Sequence, residues 1–222
     1  MKTAVKAVVF DFGHVLTLPP RAEETAWLRE RCSLGAEDFD RLWVGQRHEL
    51  DRGTLSIDEY WSRILAAGGK APSPFLLSEL AQRDMESWMR PNRPMLRWAR
   101  ELRRGGWVTG ILSNMPPGFL ALLEERFPEA EEFSPRIFSC QVGMIKPEPG
   151  IFLHCLRELG LPPEEVLFLD DTPQHVHVAT GLGIQALVFH SVADCARDLE
   201  VRFALPVLDP AEPAAELLEA KG

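Results

Sequence analysis

Residues 5–10, Val-Lys-Ala-Val-Val-Phe, form a valine-rich and nearly all-apolar run that stops abruptly on Asp11. Such a run fits a short strand buried on both faces, as strands inside a parallel sheet are. Gly13 follows two residues after the carboxylate. Ligands of open α/β sheets bind at the C-terminal ends of central strands, so a carboxylate placed there beside a turn-forming glycine constrains fold and site together. Taken alone, the stretch also reads as a capped turn, with Asp11 bonding the local backbone and Gly13 permitting the bend.

Further along, the pattern changes character twice. Between the proline-containing boundaries at 18–20 and 91–94 the chain reads as helices only. Segments 25–31 and 37–47 carry Trp27, Leu28, Phe39, Leu42 and Trp43. Ser56 and Glu59 make a capping box ahead of a helix with Ile57, Tyr60, Trp61, Ile64 and Leu65 on one face, stopped by Gly68-Gly69. Ser73-Pro74 opens another, with Leu77, Leu80, Ala81, Met85 and Trp88 on one stripe. The periodicity predicts a helical insert of about four helices. From Met95 onward helices (95–104, 117–127, 149–160, 173–182) alternate with strands (107–112, 137–142, 166–169, 184–189). That alternation predicts a parallel sheet covered on both faces. Residues 206–222, rich in Ala, Pro and Glu, read as a loose tail or a last surface helix.

Charge and composition narrow the partners. A net charge of −9 argues against a general nucleic-acid surface, so an anionic substrate needs local cations or a metal to receive it. Cys32, Cys140, Cys155 and Cys195 form no CxxC pair and sit in or beside apolar patterns, which predicts free buried thiols rather than disulfides or zinc ligands. Asp11 interrupts any signal-peptide layout at the N-terminus, and no apolar stretch is long enough to span a bilayer. The expectation is a cytoplasmic protein without membrane or nucleic-acid partners. Its oligomeric state is left open.

Three predicted strands end in residues able to do chemistry: Asp11, then Ser113-Asn114, then Asp170-Asp171, while Lys146 sits in a loop before a helix. In a right-handed parallel sheet these ends share one edge. The four stretches Asp11-Phe12-Gly13, Leu112-Ser113-Asn114, Lys146-Pro147 and Leu169-Asp170-Asp171 resemble, in order, the motifs of the haloacid dehalogenase superfamily. The insert after the first motif is similar to that superfamily's four-helix cap, and 48–59 resembles the cap of its sugar-phosphatase-like members. The resemblance implies a Rossmann-like α/β core at 1–17 and 92–222 with a helical cap at 18–91.

It also implies a chemistry. A carboxylate can attack phosphorus to form an acyl phosphate, which makes Asp11 the nucleophile. Mg²⁺ would screen the meeting of two anions, held by Asp11, the Gly13 carbonyl and Asp171, with Asp170 binding through water or orienting its neighbours. Ser113 and the Asn114 backbone N–H would hold phosphate oxygens, Lys146 would neutralise the transferred group, and His14 would face the substrate. The substrate class is a small phosphorylated metabolite such as a sugar phosphate. Phosphatases of this type place a second Asp where this chain has Gly13, so the usual general acid, a contribution of roughly 10²–10⁴-fold, is missing. His14 and His175 are candidate replacements. Two alternatives stay open: a 2-haloacid dehalogenase using Asp11, whose halide needs no proton to leave, and a non-enzymatic scaffold for a phosphorylated ligand. Trp27, Trp43, His48 and Arg52 are the candidates for specificity residues.

Overall fold

The computed structural model describes residues 4–203 and 205–211. Five parallel strands, β1 (Ala7–Phe10), β2 (Val108–Ser113), β3 (Arg136–Phe138), β4 (Val166–Asp170) and β5 (Gln185–Val188), form one sheet in the order β3-β2-β1-β4-β5. The apolar run at the N-terminus is therefore the central strand, paired with β2 on one side and β4 on the other. All four of its residues are buried, and their alternation feeds two cores. Val8 and Phe10 join the cluster that includes Met95, Trp98 and Leu199, while Ala7 and Val9 join Ile151, Phe152 and Ala179. Covering helices on both faces is what makes an all-parallel sheet of such continuous hydrophobicity stable. They are α6 (Arg93–Arg104), α7 (Pro117–Arg126) and α11 (Val192–Arg202) on the first face, and α9 (Pro149–Leu159) and α10 (Pro173–Gly181) on the second.

Between β1 and α6 lie α1 (Ala22–Cys32), α2 (Ala36–Gly45), α3 (Arg47–Arg52), α4 (Ile57–Ala67) and α5 (Pro74–Ser87). The count is five rather than about four, because the stretch read as one helix over 37–47 breaks at Gln46 and restarts as the short α3. The capping box appears as expected, with the Glu59 N–H donating to Ser56 Oγ at 3.2 Å and the Ser56 N–H to the Glu59 carboxylate at 3.2 Å. These helices have their own core around Leu28, Tyr60, Trp61, Ile64 and Leu80. Gly68 is required there by close approach: a Cβ at this position would stand 1.8 Å from the Cys32 carbonyl oxygen.

Two connections carry the chain into and out of the helical segment side by side. Thr17 and Pro91 form an antiparallel bridge. The Leu18 N–H donates to Arg90 O at 2.8 Å, and the Asn92 N–H to Leu16 O at 2.9 Å.

Three sequence expectations need correction. The strand expected over 137–142 is only Arg136–Phe138, and the chain then turns into the helix α8 (Ser139–Val142). Ser139 explains the switch, since its buried hydroxyl accepts from the Met115 N–H at 2.8 Å and donates to Asp51 O at 2.5 Å. Helix α11 was not expected at all, although Ser191 caps it by accepting the Asp194 N–H at 3.1 Å. The described part, 206–211, of the stretch read as a loose tail or a last surface helix is a docked non-helical segment: Leu208 is buried and Trp98 donates its indole N–H to Pro206 O at 2.9 Å. Residues 212–222 lie outside the described residues. The four cysteines are free thiols, as expected, though Cys140 is only half-buried. Among the described residues no helix is long and apolar enough to cross a membrane.

Candidate active site

The C-terminal edge of β1, β2 and β4 opens into a cavity of about 500 Å³ lined by Asp11, Gly13, His14, Ser113, Asn114, Lys146 and Asp171. The helical segment supplies the opposite wall, where Trp43, Val44, Arg47 and Trp88 stand. The sequence motifs thus converge on one site, with Asp170 just behind it.

Lys146 organises the centre. It is completely buried, and its Nζ lies 2.8 Å from Asp11 Oδ1 and 2.7 Å from Asp170 Oδ2. Burial disfavours its charge, but the two carboxylates outweigh burial and raise its pKa, so it stays an ammonium. Its backbone is fixed as tightly: Asn114 Nδ2 donates to Lys146 O at 2.9 Å, and the Lys146 N–H donates to Asn114 Oδ1 at 2.8 Å. The Asn114 side chain is thereby committed to the lysine.

The three carboxylates differ in circumstance. Burial pushes Asp11 up to about 6, with Lys146 opposing and the charges of Asp170 and Asp171 adding to the rise. Asp170 is buried too, yet Lys146 and His175 outweigh burial and hold it well below the usual carboxylate range. Both its oxygens are engaged, by Lys146, by the Thr172 N–H at 2.8 Å and by His175 Nδ1 at 3.0 Å. Asp171 is the most accessible of the three, at 28% side-chain exposure, and its Oδ2 lies 2.5 Å from His14 Nδ1. That contact leads the causes that raise the His14 pKa. Oxygens of Asp11, Asp170 and Asp171 all lie within 4.8 Å of one another, close enough to share one cation.

The turn after β1 delivers these groups. Asp11 Oδ1 accepts the Phe12 N–H at 2.7 Å, so the local cap and the site share one side chain. His14 adopts φ 62°, an uncommon conformation outside glycine, which swings its ring to Asp171 and into a stack on Trp88 with centroids 5.2 Å apart. Trp88 also covers Gly13: a Cβ there would meet the indole at 3.4 and 3.5 Å.

Three residues of the wall have no site role in the sequence reading: Trp88 reads as helix core, Asp51 only as part of the cap-like stretch 48–59, and Arg47 as the end of a helix. Arg47 donates to Asp51 Oδ1 at 3.2 Å and, behind the wall, to the buried Asp84 Oδ2 at 2.8 Å. Of the specificity candidates, Trp43 lines the cavity, whereas Trp27, His48 and Arg52 do not. Trp27 lies under Arg31 and Arg83, and Arg52 bonds Gly143 O and Glu148 across the junction with the core. His14 and His175 are both at the site.

A parallel α/β sheet with a carboxylate–ammonium–carboxylate centre at its strand ends defines the class of protein. Residues 5–182 match the haloacid dehalogenase-like hydrolase family, and the chain belongs to it. It is 31% identical over 215 residues to bifunctional epoxide hydrolase 2 of Mus musculus, covering 89% of this chain and 38% of that protein. The chain therefore spans well under half the length of that relative. It is 27% identical over 208 residues to a D-ribitol-5-phosphate phosphatase of Bacteroides thetaiotaomicron, covering 89% and 98% of the two chains. A haloacid dehalogenase-family enzyme of Bacteroides thetaiotaomicron, solved with magnesium and inorganic phosphate, superposes with a TM-score of 0.64 at 23% identity over 83% of this chain and 94% of that one. At that identity the likeness is one of fold.

Proposed function

We propose that the protein is a Mg²⁺-dependent phosphomonoesterase acting on a small phosphorylated metabolite through an aspartyl phosphate on Asp11. The observation that carries this reading is Lys146, completely buried between Asp11 and Asp170 at the floor of the cavity. An ammonium there offsets part of the negative charge that an incoming dianion meets and favours the ionised form of Asp11 for attack. The carboxylate oxygen of Asp11 bonds to phosphorus as the ester P–O bond breaks, and the leaving oxygen takes a proton from water or from His14 or His175 in the cavity lining. Water then attacks the phosphorus, releases phosphate and restores the carboxylate. Ser113 and the Asn114 backbone N–H are assigned to the phosphate oxygens, at the mouth of α7. The relative named as a D-ribitol-5-phosphate phosphatase supports the same reading.

The donor set fits a hard divalent cation: three carboxylates meet where the nearest ammonium cancels only one charge. Asp11, Asp171 and the Gly13 carbonyl would hold Mg²⁺, which when bound would screen the repulsion between Asp11 and the phosphoryl oxygens. Asp170, with both oxygens engaged, orients Lys146 rather than serving as a direct ligand. Asp171→Ala is accordingly expected to abolish calorimetric Mg²⁺ binding, and Asp170→Asn to weaken it roughly 10–100-fold, the usual scale for an outer partner. Equal metal affinity in wild type and Asp171→Ala contradicts the assignment.

Residues 18–91 are assigned as a cap that opens about the paired connections at Thr17 and Pro91. Arg52, joined to Gly143 O at 3.1 Å and to Glu148 at 2.5 Å, is a latch on the closed form. Half-exposed pairs of this kind contribute at most about 1 kcal/mol. Arg52→Ala should therefore raise hydrogen exchange two- to fivefold in α3 and α8 without unfolding the protein. Unchanged exchange in both helices counts against a latch.

The reading is tested by a screen of phosphomonoesters and 2-haloacids with and without Mg²⁺. Phosphate release that requires Mg²⁺ is expected. Halide release without metal selects a dehalogenase, and ligand binding with no turnover selects a scaffold.

A further inference from the structure

The wall facing the carboxylates is apolar. Pro19, Pro20, Trp43, Val44, Trp88, Met115, Pro116 and Phe119 make most of the cavity beyond the strand ends. The polar side chains on the helical side are already partnered. Thr25 Oγ1 donates to Ala22 O at 3.1 Å, and Arg47 is paired with Asp51 and Asp84. Asp84, completely buried, also takes the indole N–H of Trp43 at 3.2 Å and of Trp88 at 3.4 Å on one oxygen. Both indoles are thus pinned with their only polar atom turned to Asp84, which leaves carbon surface to the cavity. At its mouth Val44 is 63% exposed, so the apolar lining continues to solvent.

We propose that the site selects phosphomonoesters with a hydrocarbon leaving group, aryl or long-chain alkyl, seated between Trp43, Val44, Trp88 and Phe119, over polyhydroxylated sugar phosphates. The proposal rests on the phosphomonoesterase reading. Sugar hydroxyls brought into this chamber would lose water against a mostly apolar wall whose few polar side chains, Thr25, Arg47 and Asp51, are held by protein partners, which works against binding. Apolar carbon gains from every methylene it buries. Asp84 is a positioning residue in this scheme, acting through the two indoles.

The test pairs binding with turnover. Methyl-, butyl- and octylphosphonate are titrated into the protein in Mg²⁺ buffer by calorimetry, and octyl phosphate and D-ribitol 5-phosphate, both esters of primary alcohols, are compared as substrates. Affinity is expected to rise about three- to fourfold for each added methylene until the chain reaches the mouth, and octyl phosphate should have the higher kcat/KM. Val44→Asp, at a side chain exposed enough to tolerate the change, should lower octylphosphonate affinity at least fivefold. Affinity independent of chain length, or a higher kcat/KM for ribitol 5-phosphate, overturns the proposal. Chain-length-dependent binding with no hydrolysis of any phosphomonoester removes the phosphomonoesterase reading and leaves the apolar chamber standing.

Discussion

Asp11→Asn is expected to abolish phosphomonoester hydrolysis, a loss on the order of 10⁴-fold or more, since removing a nucleophile leaves only the catalysis that binding and electrostatics supply. The protein should nevertheless fold. Asp11 is a buried carboxylate whose pKa is raised to about 6, burial being the leading cause. Between the ordinary carboxylate range and about 6 the folded state holds more protons than the unfolded state. Its stability therefore falls as pH rises through that window, when metal is removed with a chelator. Asparagine carries no such cost, so the variant should unfold at the same or a higher temperature than wild type above pH 6, and the two should converge as pH drops below 4. Melting curves across that range check the stability, and phosphate release checks the activity. Near-wild-type turnover would remove Asp11 from the mechanism.

Lys146→Met should do the opposite to stability while also removing activity. Lys146 is sealed between Asp11 and Asp170, and deleting it leaves two buried carboxylates without their shared cation. Losing one partner of a buried pair typically costs about 3–5 kcal/mol. Asp170 keeps the Thr172 N–H and His175, whose Nδ1 lies 3.0 Å from both carboxylate oxygens, but the fully buried ammonium at 2.7 Å that it shares with Asp11 is gone. The Asp170 pKa is depressed, so the stabilisation it reports is present above the ordinary carboxylate range and is lost as pH falls through its folded value. The gap between wild type and Lys146→Met should therefore narrow on acidification. Denaturant unfolding at neutral pH and near pH 3 measures it. Equal stability at neutral pH would mean that the lysine and the carboxylates do not hold one another.

Much of this site was legible because its polar residues sit where strand periodicity breaks off. Asp11, Ser113-Asn114 and Asp170-Asp171 each terminate an apolar run, and parallel pairing then forces those ends to one edge. Helix starts with a side-chain cap, at Ser56 and Ser73, were equally readable. The cavity's far wall was not. Trp88 shares a stripe with Leu77, Leu80, Ala81 and Met85, and periodicity says which face is buried but not whether protein or substrate buries it. Asp84 beside that stripe resembles any solvated acid of a helix, and its burial follows only from the meeting of α2, α3 and α5 around Arg47, Trp43 and Trp88. The left-handed turn at His14 has no sequence signal, since the residue there is not glycine. Helix α11 did have one, in Ser191, Cys195 and Leu199, but it follows the last strand, where no further alternation marks it.

The central claim is that the phosphoryl group passes through Asp11. Enzyme mixed with 1-naphthyl phosphate and Mg²⁺, quenched within a turnover and reduced with borohydride, should yield homoserine in place of aspartate at position 11, read by peptide mass spectrometry. Substrate-dependent conversion at Asp11 alone is the predicted result. Unmodified aspartate at 11 in enzyme that is releasing phosphate would contradict it.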